Sequence, residues 1–379
     1  MSLRILMVGA CPFPAPQGSQ ILMQDTASAL RRAGHKVTLL VYGYGSQSVS
    51  SNEEGLLRSA RIPGMRRVAA GPSWGKPFAD FAMTIKLRNI LKSERFDILH
   101  AHNYEGLLVA LTAGAKIPIV YHAHNAMGDE LPYYFRWKAI ASYFGGFLDR
   151  FLPRRADGVI ALHDRLAQYL TTCGCQPEKI TVIPPPCDAD AFQSVPEEPH
   201  HGATPAVLYT GNLDAYQNLP LLAEVMQRVR KKLPGVTLHV ASPENIPVPF
   251  ADYTHFTPDL PSLLEVFNLD CVIACPRIAW SGYPIKLLNT MAAARPVVAC
   301  RSVSYPLTHL ENGYIVADND VDAFAEGLLL LLRNTRLRRK LGKNARTTIR
   351  YRHSFDAYAA ALTTLYRRLL ETKQGKSGS

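Results

Sequence analysis

The sequence predicts an α/β protein built from two doubly wound domains, and three observations carry this prediction. The chain has 379 residues, more than one ordinary hydrophobic core accommodates. Hydrophobic residues make up 47% of the chain and charged residues 19%, which is a globular composition. In both halves, short β-branched runs alternate with helical patterns, and this alternation is typical of parallel sheets covered by helices.

The first half of the chain carries five predicted strands, at residues 4–9, 36–41, 97–100, 118–121 and 158–161. A helix is predicted over residues 21–33, where Gly34 ends it. In the second half, strands are predicted at residues 206–211, 236–240, 271–275 and 296–299, with helices at 219–233 and 286–294.

Residues 187–205 are polar and contain several prolines, so we interpret them as an interdomain linker. The predicted domains are therefore residues 1–190 and residues 205–352. A C-terminal helix, residues 355–372, is expected to join the first domain, and residues 373–379 to form a disordered tail.

The net charge of +11 is unevenly distributed. The basic stretch at residues 333–352 is best explained as a solvated helix face. In residues 131–155, by contrast, basic side chains alternate with Tyr, Phe and Trp. Either this stretch is an amphipathic helix with its aromatics buried against the sheet, or it docks on an anionic membrane, which is slightly favoured. Nucleic acid is not expected as a partner, because no recognised module accompanies the charge.

The lengths of the apolar runs indicate where in the cell this protein is expected. The run at residues 4–9 is too short for an export signal, and no run approaches the ~20 residues that span a bilayer. Seven scattered cysteines are typical of reduced thiols. We expect a cytoplasmic protein, peripheral on the inner face of the membrane if residues 131–155 dock there.

Two histidine pairs, His100 with His102 and His122 with His124, lie on predicted strands. The two-residue spacing puts both members of a pair on one face of a strand. Four imidazoles could hold zinc, but no acid or cysteine completes a familiar ligand set. Hydrogen-bonding or core roles are favoured, and no metal is expected. His124, nearest the carboxyl end, is the predicted substrate contact.

Two glycine-containing turns precede predicted helices and suit an anion. Gly18 follows the first strand, although a simple turn glycine explains it equally well. The stronger signal is the segment SGYPIKLLNTMAAARPVVA at residues 281–299. Backbone amides around Gly282 and Tyr283, with Lys286 in the first helical turn, would bind a diphosphate. An ordinary capped helix with a solvated lysine is the alternative.

A series of motifs runs along nearly the whole chain. They are Gly18, GHKV at 34–37, DILHAH at 97–102, PIVYHAH at 118–124, ADGVI at 156–160, VIPPPCD at 182–188, LENGYIV at 310–316 and LGKNAR at 341–346. In this order they resemble family 4 of the GT-B glycosyltransferases.

The resemblance implies a GT-B fold, in which two Rossmann-like domains face each other across a cleft. It implies a hexosyltransferase of glycan or glycolipid biosynthesis, which moves a sugar from a nucleotide-diphosphate donor to an acceptor hydroxyl with retention. The acceptor could be a lipid, and neither a metal nor a cofactor is needed. His124 is the implied catalytic residue. Implied donor-binding residues are Gly18, Gly211, Asn212, Gln217, Ser281, Gly282, Tyr283, Ile285, Lys286 and Asn289, and implied acceptor-side residues are Gln17, His102 and Tyr104.

The chain departs from the family pattern where the donor is gripped. Asn212 and Gln217 stand where two basic residues are usual, and Ser281 and Asn289 where two acids are usual. We infer that Lys286 supplies the missing positive charge. Because of these departures, a catalytically silent protein that binds sugar nucleotides or a lipid surface remains an alternative, as does a nucleotide-sugar epimerase of the same fold.

Overall fold

The computed structural model describes residues 2–14, 18–45, 55–65, 68, 73–197 and 206–377. The chain divides into two compact units. Unit 1 comprises residues 1–186 together with 355–379, and unit 2 comprises residues 187–354. Both units are parallel α/β domains, so the predicted fold class is confirmed.

Unit 1 contains a seven-stranded parallel sheet in the order β3-β2-β1-β4-β5-β6-β7. Its strands are β1 (Arg4–Gly9), β2 (Lys36–Val41), β3 (Leu56–Arg58), β4 (Ile98–His102), β5 (Ile119–Ala123), β6 (Gly158–Ala161) and β7 (Ile180–Val182). The central strands are buried on both faces, which explains their continuous apolar sequences. The sequence missed β3 and β7, because three residues at a sheet edge carry no clear pattern.

The described residues of unit 1 form seven α-helices. They are α1 (Gly18–Arg32), α2 (Lys76–Ser93), α3 (Asn103–Ala113), α4 (Met127–Glu130), α5 (Lys138–Phe151), α6 (Asp164–Thr172) and, after unit 2, α12 (Phe355–Ser377). Helix α1 begins three residues before its predicted start at residue 21. It ends before Gly34, whose φ of +85° is a left-handed conformation that glycine adopts without strain.

Helix α12 packs on α1 within unit 1. The hydroxyls of Thr26 and Tyr358 lie 2.9 Å apart, and the Arg32 guanidinium stacks 4.6 Å from the ring centroid of Phe355. The helix continues to Ser377, whereas the sequence predicted an end at residue 372 and a disordered tail after it. No proline interrupts the helix between these positions, so its backbone hydrogen bonding continues.

Unit 2 contains a six-stranded parallel sheet in the order β10-β9-β8-β11-β12-β13. Its strands are β8 (Ala206–Thr210), β9 (Leu238–Ser242), β10 (Tyr253–Phe256), β11 (Cys271–Cys275), β12 (Val297–Cys300) and β13 (Tyr314–Val316). Its helices are α7 (Leu219–Lys232), α8 (Leu260–Val266), α9 (Ile285–Ala292), α10 (Val321–Arg333) and α11 (Thr335–Arg352). The edge strands β10 and β13 were not predicted, because their side chains are partly exposed and unpatterned.

The predicted linker does not stay apart from unit 2. Arg295 is almost fully buried and donates a 2.7 Å hydrogen bond to the carbonyl of Pro196. Arg346 donates to the carbonyl of Val195 at 2.9 Å and lies 3.4 Å from the Glu197 carboxylate. Residues 187–197 are therefore fixed on unit 2, and residues 198–205 lie outside the described part of the chain.

Strand order fixes where a ligand can bind in each unit. From β1 the sheet of unit 1 runs to β2 and β3 on one side and to β4 on the other. In unit 2 the same reversal occurs between β8 and β11. In doubly wound sheets the crevice at the carboxyl ends of such strands is the usual ligand site.

Candidate functional site

In unit 2, a group of polar side chains lies at the carboxyl ends of β8 and β11, where the strand order reverses. Gly211 follows β8, and a Cβ built there would lie 2.5 Å from Tyr209 Oη and 3.0 Å from Lys286 Nζ. The Tyr209 hydroxyl donates to the Asn212 carbonyl at 2.6 Å, which closes the turn. A side chain at this position would have to displace the Tyr209 hydroxyl and the Lys286 ammonium, and glycine leaves both in place.

Lys286 lies in the first turn of α9 and reaches this turn. Its Nζ donates a 3.0 Å hydrogen bond to Asn212 Oδ1, and Gln217 Nε2 donates to the same oxygen. The structure thus brings together three of the predicted donor-binding side chains. Burial, followed by repulsion from Arg277, lowers the pKa of Lys286 from 10.5 to about 7.

Arg277 is a second cation in this group, and the sequence analysis missed it. It follows β11 and donates to the carbonyls of Ala279 and Gly282 at 3.1 Å each. Its guanidinium carbon lies 5.1 Å from the ring centroid of Tyr216. Arg277 therefore holds the loop before α9 in place. Its position two residues after a buried strand was the available signal.

The loop before α9 contains most of the remaining predicted donor residues. Ser281 and Tyr283 are buried, and the Tyr283 ring packs 5.3 Å from that of Tyr305. Ile285 is the first residue of α9, and its amide donates to the Tyr283 carbonyl at 2.9 Å. Asn289 lies one turn further along α9, where its Oδ1 is 3.9 Å from Cys187 Sγ.

Two carboxylates also border the group, although no acid was predicted there. The Leu213 amide donates to Glu244 Oε1 at 3.3 Å. Asn212 Nδ2 donates to Asp214, whose pKa is raised by burial and by the charge of Glu244. The site therefore combines two cations, amides and two acids, which can bind a phosphate together with sugar or ribose hydroxyls.

In unit 1, the predicted residues lie at different places. Gly18 is exposed at the first position of α1, so it belongs to the helix and not to the predicted loop. Gln17 lies outside the described residues. His102 ends β4, and Tyr104 lies in the first turn of α3, where its hydroxyl donates to Glu105 Oε1 at 3.1 Å.

His124 follows β5 and is only 6% exposed. Its Nε2 lies 3.0 Å from His102 Nδ1, so these two predicted residues are hydrogen-bonded to each other. Burial lowers the pKa of His124 to about 3, and the ring is therefore neutral at physiological pH. A neutral imidazole can donate or accept one hydrogen bond to a sugar hydroxyl.

A buried polar cluster that the sequence did not indicate lies beside His102 along the chain. Lys76 Nζ forms a 2.5 Å ion pair with Glu105 Oε1. The Tyr42 hydroxyl donates to Asp80 Oδ1 at 2.5 Å. Burial raises the pKa of Asp80 to about 6, although the hydrogen bond from Tyr42 opposes this shift. The acids and the base of this cluster come from α2 and α3, and Lys76 and Glu105 are 29 positions apart in the sequence.

The segment 131–155 forms a short 3₁₀ turn, helix α5 and a second 3₁₀ turn. Its exposed aromatic side chains are Tyr134, Phe135, Trp137, Tyr143, Phe144, Phe147 and Phe151. Trp137 is 73% and Tyr143 81% exposed, so the alternative in which these aromatics are buried against the sheet is wrong. Basic residues Arg136, Lys138, Arg150, Arg154 and Arg155 are exposed with them. We call this set the α5 surface.

Helix α5 is held to unit 1 by its opposite side. Asp149 is 4% exposed and accepts hydrogen bonds from the amides of Met127 and Gly128 at 3.0 and 2.9 Å. The Tyr169 hydroxyl donates to the same carboxylate at 2.9 Å.

No helix in the described part of the chain is long and apolar enough to cross a membrane.

The other basic stretch, residues 333–352, begins with the last residue of α10 and then forms α11. Arg338 is buried and pairs with Asp270 at 3.1 Å, and Arg346 is buried as described above. The interpretation as a wholly solvated helix face is therefore wrong at these two positions. Their role is structural, because Arg338 also donates to the last carbonyls of α10.

Comparison with known families gives two matches that together span most of the chain. The sequence model described as Glycosyltransferase Family 4 matches residues 16–191, and that described as Glycosyl transferases group 1 matches residues 204–334. Among curated proteins, the chain is 24% identical to a D-inositol 3-phosphate glycosyltransferase of Mycobacterium avium, over 97% of this chain and 93% of that protein. It is also 24% identical to a phosphatidyl-myo-inositol mannosyltransferase of Mycobacterium tuberculosis, over 96% of each chain.

Solved structures with the same fold include sucrose-phosphate synthase from Thermosynechococcus elongatus. The TM-score is 0.78 at 16% identity, over 97% of this chain and 99% of that one. The Anabaena protein HepE, solved in complex with UDP-glucose, gives a TM-score of 0.70 at 15% identity, over 98% of this chain and all of that one.

Proposed function

Because this chain belongs to glycosyltransferase family 4 and has the GT-B fold, we propose that it transfers a hexose from a nucleotide-diphosphate sugar to a lipid-linked hydroxyl. Unit 2 binds the donor and unit 1 receives the acceptor. The proposal includes retention at the anomeric carbon and independence from metal. The carrying observation is the polar group of unit 2, where Lys286, Asn212 and Arg277 meet at the reversal of strand order.

The chemistry of this group suits a diphosphate that leaves during transfer. Charge develops on the diphosphate oxygens as the glycosidic bond breaks, and positioned cations and amides stabilise it. Lys286 and Arg277 supply two positive charges, although Asn212 and Gln217 replace the family's basic residues. Asn289 and Ser281 offer neutral hydrogen-bonding groups for ribose or sugar hydroxyls.

A donor of this type is also supported by relatives. HepE was solved with UDP-glucose, and the Mycobacterium tuberculosis relative is named for mannosyl transfer to phosphatidyl-myo-inositol. For this chain we therefore propose a nucleoside diphosphate hexose as donor and a lipid carrying a free hydroxyl as acceptor.

The acceptor side of the proposal depends on one apolar face of unit 1. Helix α2 connects β3 to β4, α3 connects β4 to β5, and α5 lies between β5 and β6. At each of these connections the chain moves towards the same edge of the sheet. Right-handed connections place all three helices on one face. On α2 the exposed side chains Phe78, Phe81 and Ile85 are spaced by three and four residues, and Trp74 is exposed two residues before the helix begins, so that together they form an apolar stripe.

Aromatic and basic side chains exposed together suit the headgroup layer of an anionic membrane. The stripe on α2 and the α5 surface supply both. We therefore propose a membrane-peripheral location, with the face of α2, α3 and α5 against the lipid. All seven cysteines are free thiols, which supports a reducing, cytoplasmic compartment.

Transfer itself is tested with the full chain, a panel of nucleotide sugars and a lipid extract, with products identified by mass spectrometry. We expect one nucleotide sugar to yield a glycosylated lipid, and anomeric NMR of the product to show retention. Activity should persist in a chelator, because the proposed diphosphate contacts are protein groups. Heat-treated protein and the Lys286→Ala variant are the controls.

A catalytically silent binding protein is the second candidate, because Ser281 and Asn289 occupy the two usual acidic positions. The same incubations, together with calorimetric titration of each nucleotide sugar, separate the candidates. Tight nucleotide-sugar binding with neither transfer nor donor hydrolysis would favour the silent protein. An absence of binding across the whole panel would overturn both.

A further inference from the structure

Helix α11 of unit 2 presents a row of basic side chains to solvent. The exposed cations of this helix that share one side are Arg336, Arg339, Lys340, Lys343 and Arg350. They recur at intervals of three, four or seven residues, which keeps their side chains on that side. At 1.5 Å per residue the row is roughly 21 Å long. We call these five cations the α11 stripe.

The opposite side of α11 is packed on the core of unit 2. Arg338 and Arg346 are buried there, with the structural partners described above. A Cβ at Gly342 would collide with the backbone of Ala294, just after the end of α9, so the two segments lie in close contact. The orientation of α11 about its own axis is therefore fixed, with the stripe directed away from the core.

The α11 stripe is electrostatically unfavourable for the helix that carries it. Helix α11 contains no acidic residue, and its first turn, where the helix dipole favours acids, carries Arg336 instead. Arg336 and Lys340 are like charges four residues apart, as are Arg339 and Lys343, and such pairs destabilise a helix. The stability of α11 therefore gives no reason for these charges.

The other basic surface helix of unit 2, α7, has the usual arrangement. Three of its cations lie in the last turn, where the helix dipole favours them. Its ion pairs with acids of unit 2 are Arg228 with Asp322, Arg230 with Asp252, and Lys232 with Glu326. Because stability accounts for the cations of α7 but not for those of the α11 stripe, a binding role is the better explanation of the stripe.

A loop tip with an exposed apolar side chain lies beside the α11 stripe. Asn344 Nδ2 donates to the Glu311 carbonyl at 2.7 Å, and Asn312 Nδ2 donates to Thr348 Oγ1 at 3.0 Å. These contacts hold the loop against the flank of α11. Leu310, between them in the sequence, is 44% exposed and has a φ of +61°, a left-handed conformation that is unfavourable for leucine. Neither burial nor backbone geometry explains a leucine at this tip.

These features together match the surface of an anionic bilayer. Clusters of roughly four to eight Lys and Arg on an amphipathic helix are typical of binding to acidic phospholipids. Apolar and aromatic side chains beside such a cluster enter the headgroup layer. Leu310 and Tyr351, which follows Arg350 and is 81% exposed, are placed to do so. Nucleic acid would attract the same charge, but it gives no role to an exposed leucine.

We propose that the α11 stripe, with Leu310 and Tyr351, is a second membrane-docking surface, carried by unit 2, and that its partner is a bilayer containing anionic phospholipid. The choice of a bilayer as partner rests on the proposed lipid acceptor. Docking through α11 holds the donor-binding unit itself at the lipid surface, where that acceptor lies.

The test is sedimentation of the full chain with vesicles of phosphatidylcholine, with and without phosphatidylglycerol. Lys340→Gln combined with Lys343→Gln should lower the partition coefficient on the anionic vesicles about thirtyfold. The matched control, Lys231→Gln combined with Arg301→Gln, removes the same charge from exposed positions of unit 2 outside the stripe. This control should bind like the natural chain.

Leu310→Gly separates a binding role of the loop tip from a structural one. Glycine adopts a positive φ without strain, so the melting temperature of the variant should not fall. Binding to anionic vesicles should nevertheless weaken severalfold, because the side chain that enters the headgroup layer is missing. Unchanged binding by this variant would overturn the placement of the loop tip in the bilayer.

Three results would overturn the docking surface as a whole. They are a natural chain that does not bind anionic vesicles, a lysine variant that binds them unchanged, and a control that loses as much binding as the lysine variant. Loss of duplex DNA binding in the lysine variant, with vesicle binding unchanged, would assign the stripe to nucleic acid instead.

Failure of this inference and failure of the proposed function give different results. Glycosyl transfer by the natural chain, with vesicle binding that the lysine variant does not change, would refute only the α11 surface. Vesicle binding that depends on the stripe, without any glycosyl transfer, would support the surface and refute the transfer. The variant with Arg136→Ala and Lys138→Ala is measured in parallel, so that the contribution of the α5 surface is known separately.

Discussion

Lys286 Nζ donates a hydrogen bond to Asn212 Oδ1 across 3.0 Å. Asn212 stands where the family usually has a basic residue, so an uncharged amide accepts from the lysine at this position. The charge available to a diphosphate at this position consequently depends on the protonation of Lys286. Arg277, from the neighbouring strand β11, is the cation whose Coulomb repulsion helps to lower the pKa of that lysine. Three predictions follow from this arrangement of Lys286, Asn212 and Arg277.

Replacing Lys286 by Met should weaken binding of UDP or a similar nucleoside diphosphate about ten- to hundredfold. A charge-assisted hydrogen bond contributes about 1.5–3 kcal/mol, and this is the corresponding change in affinity. Calorimetric titration measures it. Because burial disfavours the lysine charge, the melting temperature of the free variant should not fall. Unchanged affinity would exclude Lys286 as a phosphate contact.

Binding should weaken as the pH rises above 7. The free lysine has a pKa of about 7, and a bound diphosphate favours the protonated form, so binding takes up a proton above that pH. Affinity should fall by up to about tenfold per pH unit between pH 7 and 9. Calorimetry in buffers of different ionisation enthalpy counts the proton. Lys286→Arg, which stays charged, should abolish the dependence; its persistence would assign the proton to another group.

Arg277→Ala should weaken nucleoside-diphosphate binding about tenfold, since it removes a charge and two donors that hold the carbonyls of Ala279 and Gly282. Arg301→Ala is the matched control, because Arg301 is an exposed arginine of the same unit. Affinity measured by calorimetry should fall only in the first variant. Equal affinities for the two variants would limit Arg277 to a structural role.

The α5 surface should bind anionic vesicles but not zwitterionic ones, and the binding should decrease at high salt. Each basic residue near such a membrane adds about 1 kcal/mol, so Arg136→Ala with Lys138→Ala should lower the partition coefficient about thirtyfold. Sedimentation with liposomes measures the bound fraction.

The aromatic part of the α5 surface is tested by replacing Trp137 and Tyr143 with Ser. This change should reduce binding to anionic vesicles as strongly as the replacement of Arg136 and Lys138. Tyr253 and Phe256, exposed on the edge strand β10 of unit 2, provide the matched control pair. If the natural chain binds neither type of vesicle, the acceptor is a water-soluble molecule and the lipid proposal fails.

Replacing His124 by Ala should lower kcat about a hundredfold, a size typical of removing one hydrogen-bond donor from a reacting centre. The melting temperature should also fall by a few degrees, because the ring is buried and bonded to His102. Steady-state kinetics are therefore measured well below that temperature. His239→Gln is the control for a histidine of unit 2. A loss of stability with unchanged kcat would make His124 a structural residue only.

Much of the fold was predictable because its strands are central. The boundaries of β1, β2, β6 and β11 agree with the predictions, because strands buried on both faces have continuous apolar sequences. Edge strands such as β3 and β13 were missed because three partly exposed residues carry no periodic signal. The start of α1 was misplaced because glycine, here Gly18, is a poor indicator of a helix.

The candidate site was predictable where it is local in sequence. Lys286 was found because a turn, a helix start and a lysine stand within a few residues of each other. Arg277 was missed because its contribution depends on β11 lying beside β8 in the sheet, although 60 residues lie between the end of β8 at Thr210 and the start of β11 at Cys271.

The sequence by itself determined two parallel α/β units, the family, and the residues of the proposed donor site. Local patterns are sufficient for these conclusions, because hydrophobic periodicity and short motifs depend only on residues that are neighbours in the sequence. Only the tertiary structure decided that Lys286 is paired with Asn212 and that the aromatics of α5 are exposed. It also decided that the exposed cations of α11 form one stripe beside the loop that carries Leu310. Burial and pairing depend on which strands and helices become neighbours, and the free energies of desolvation and hydrogen bonding are set by those neighbours.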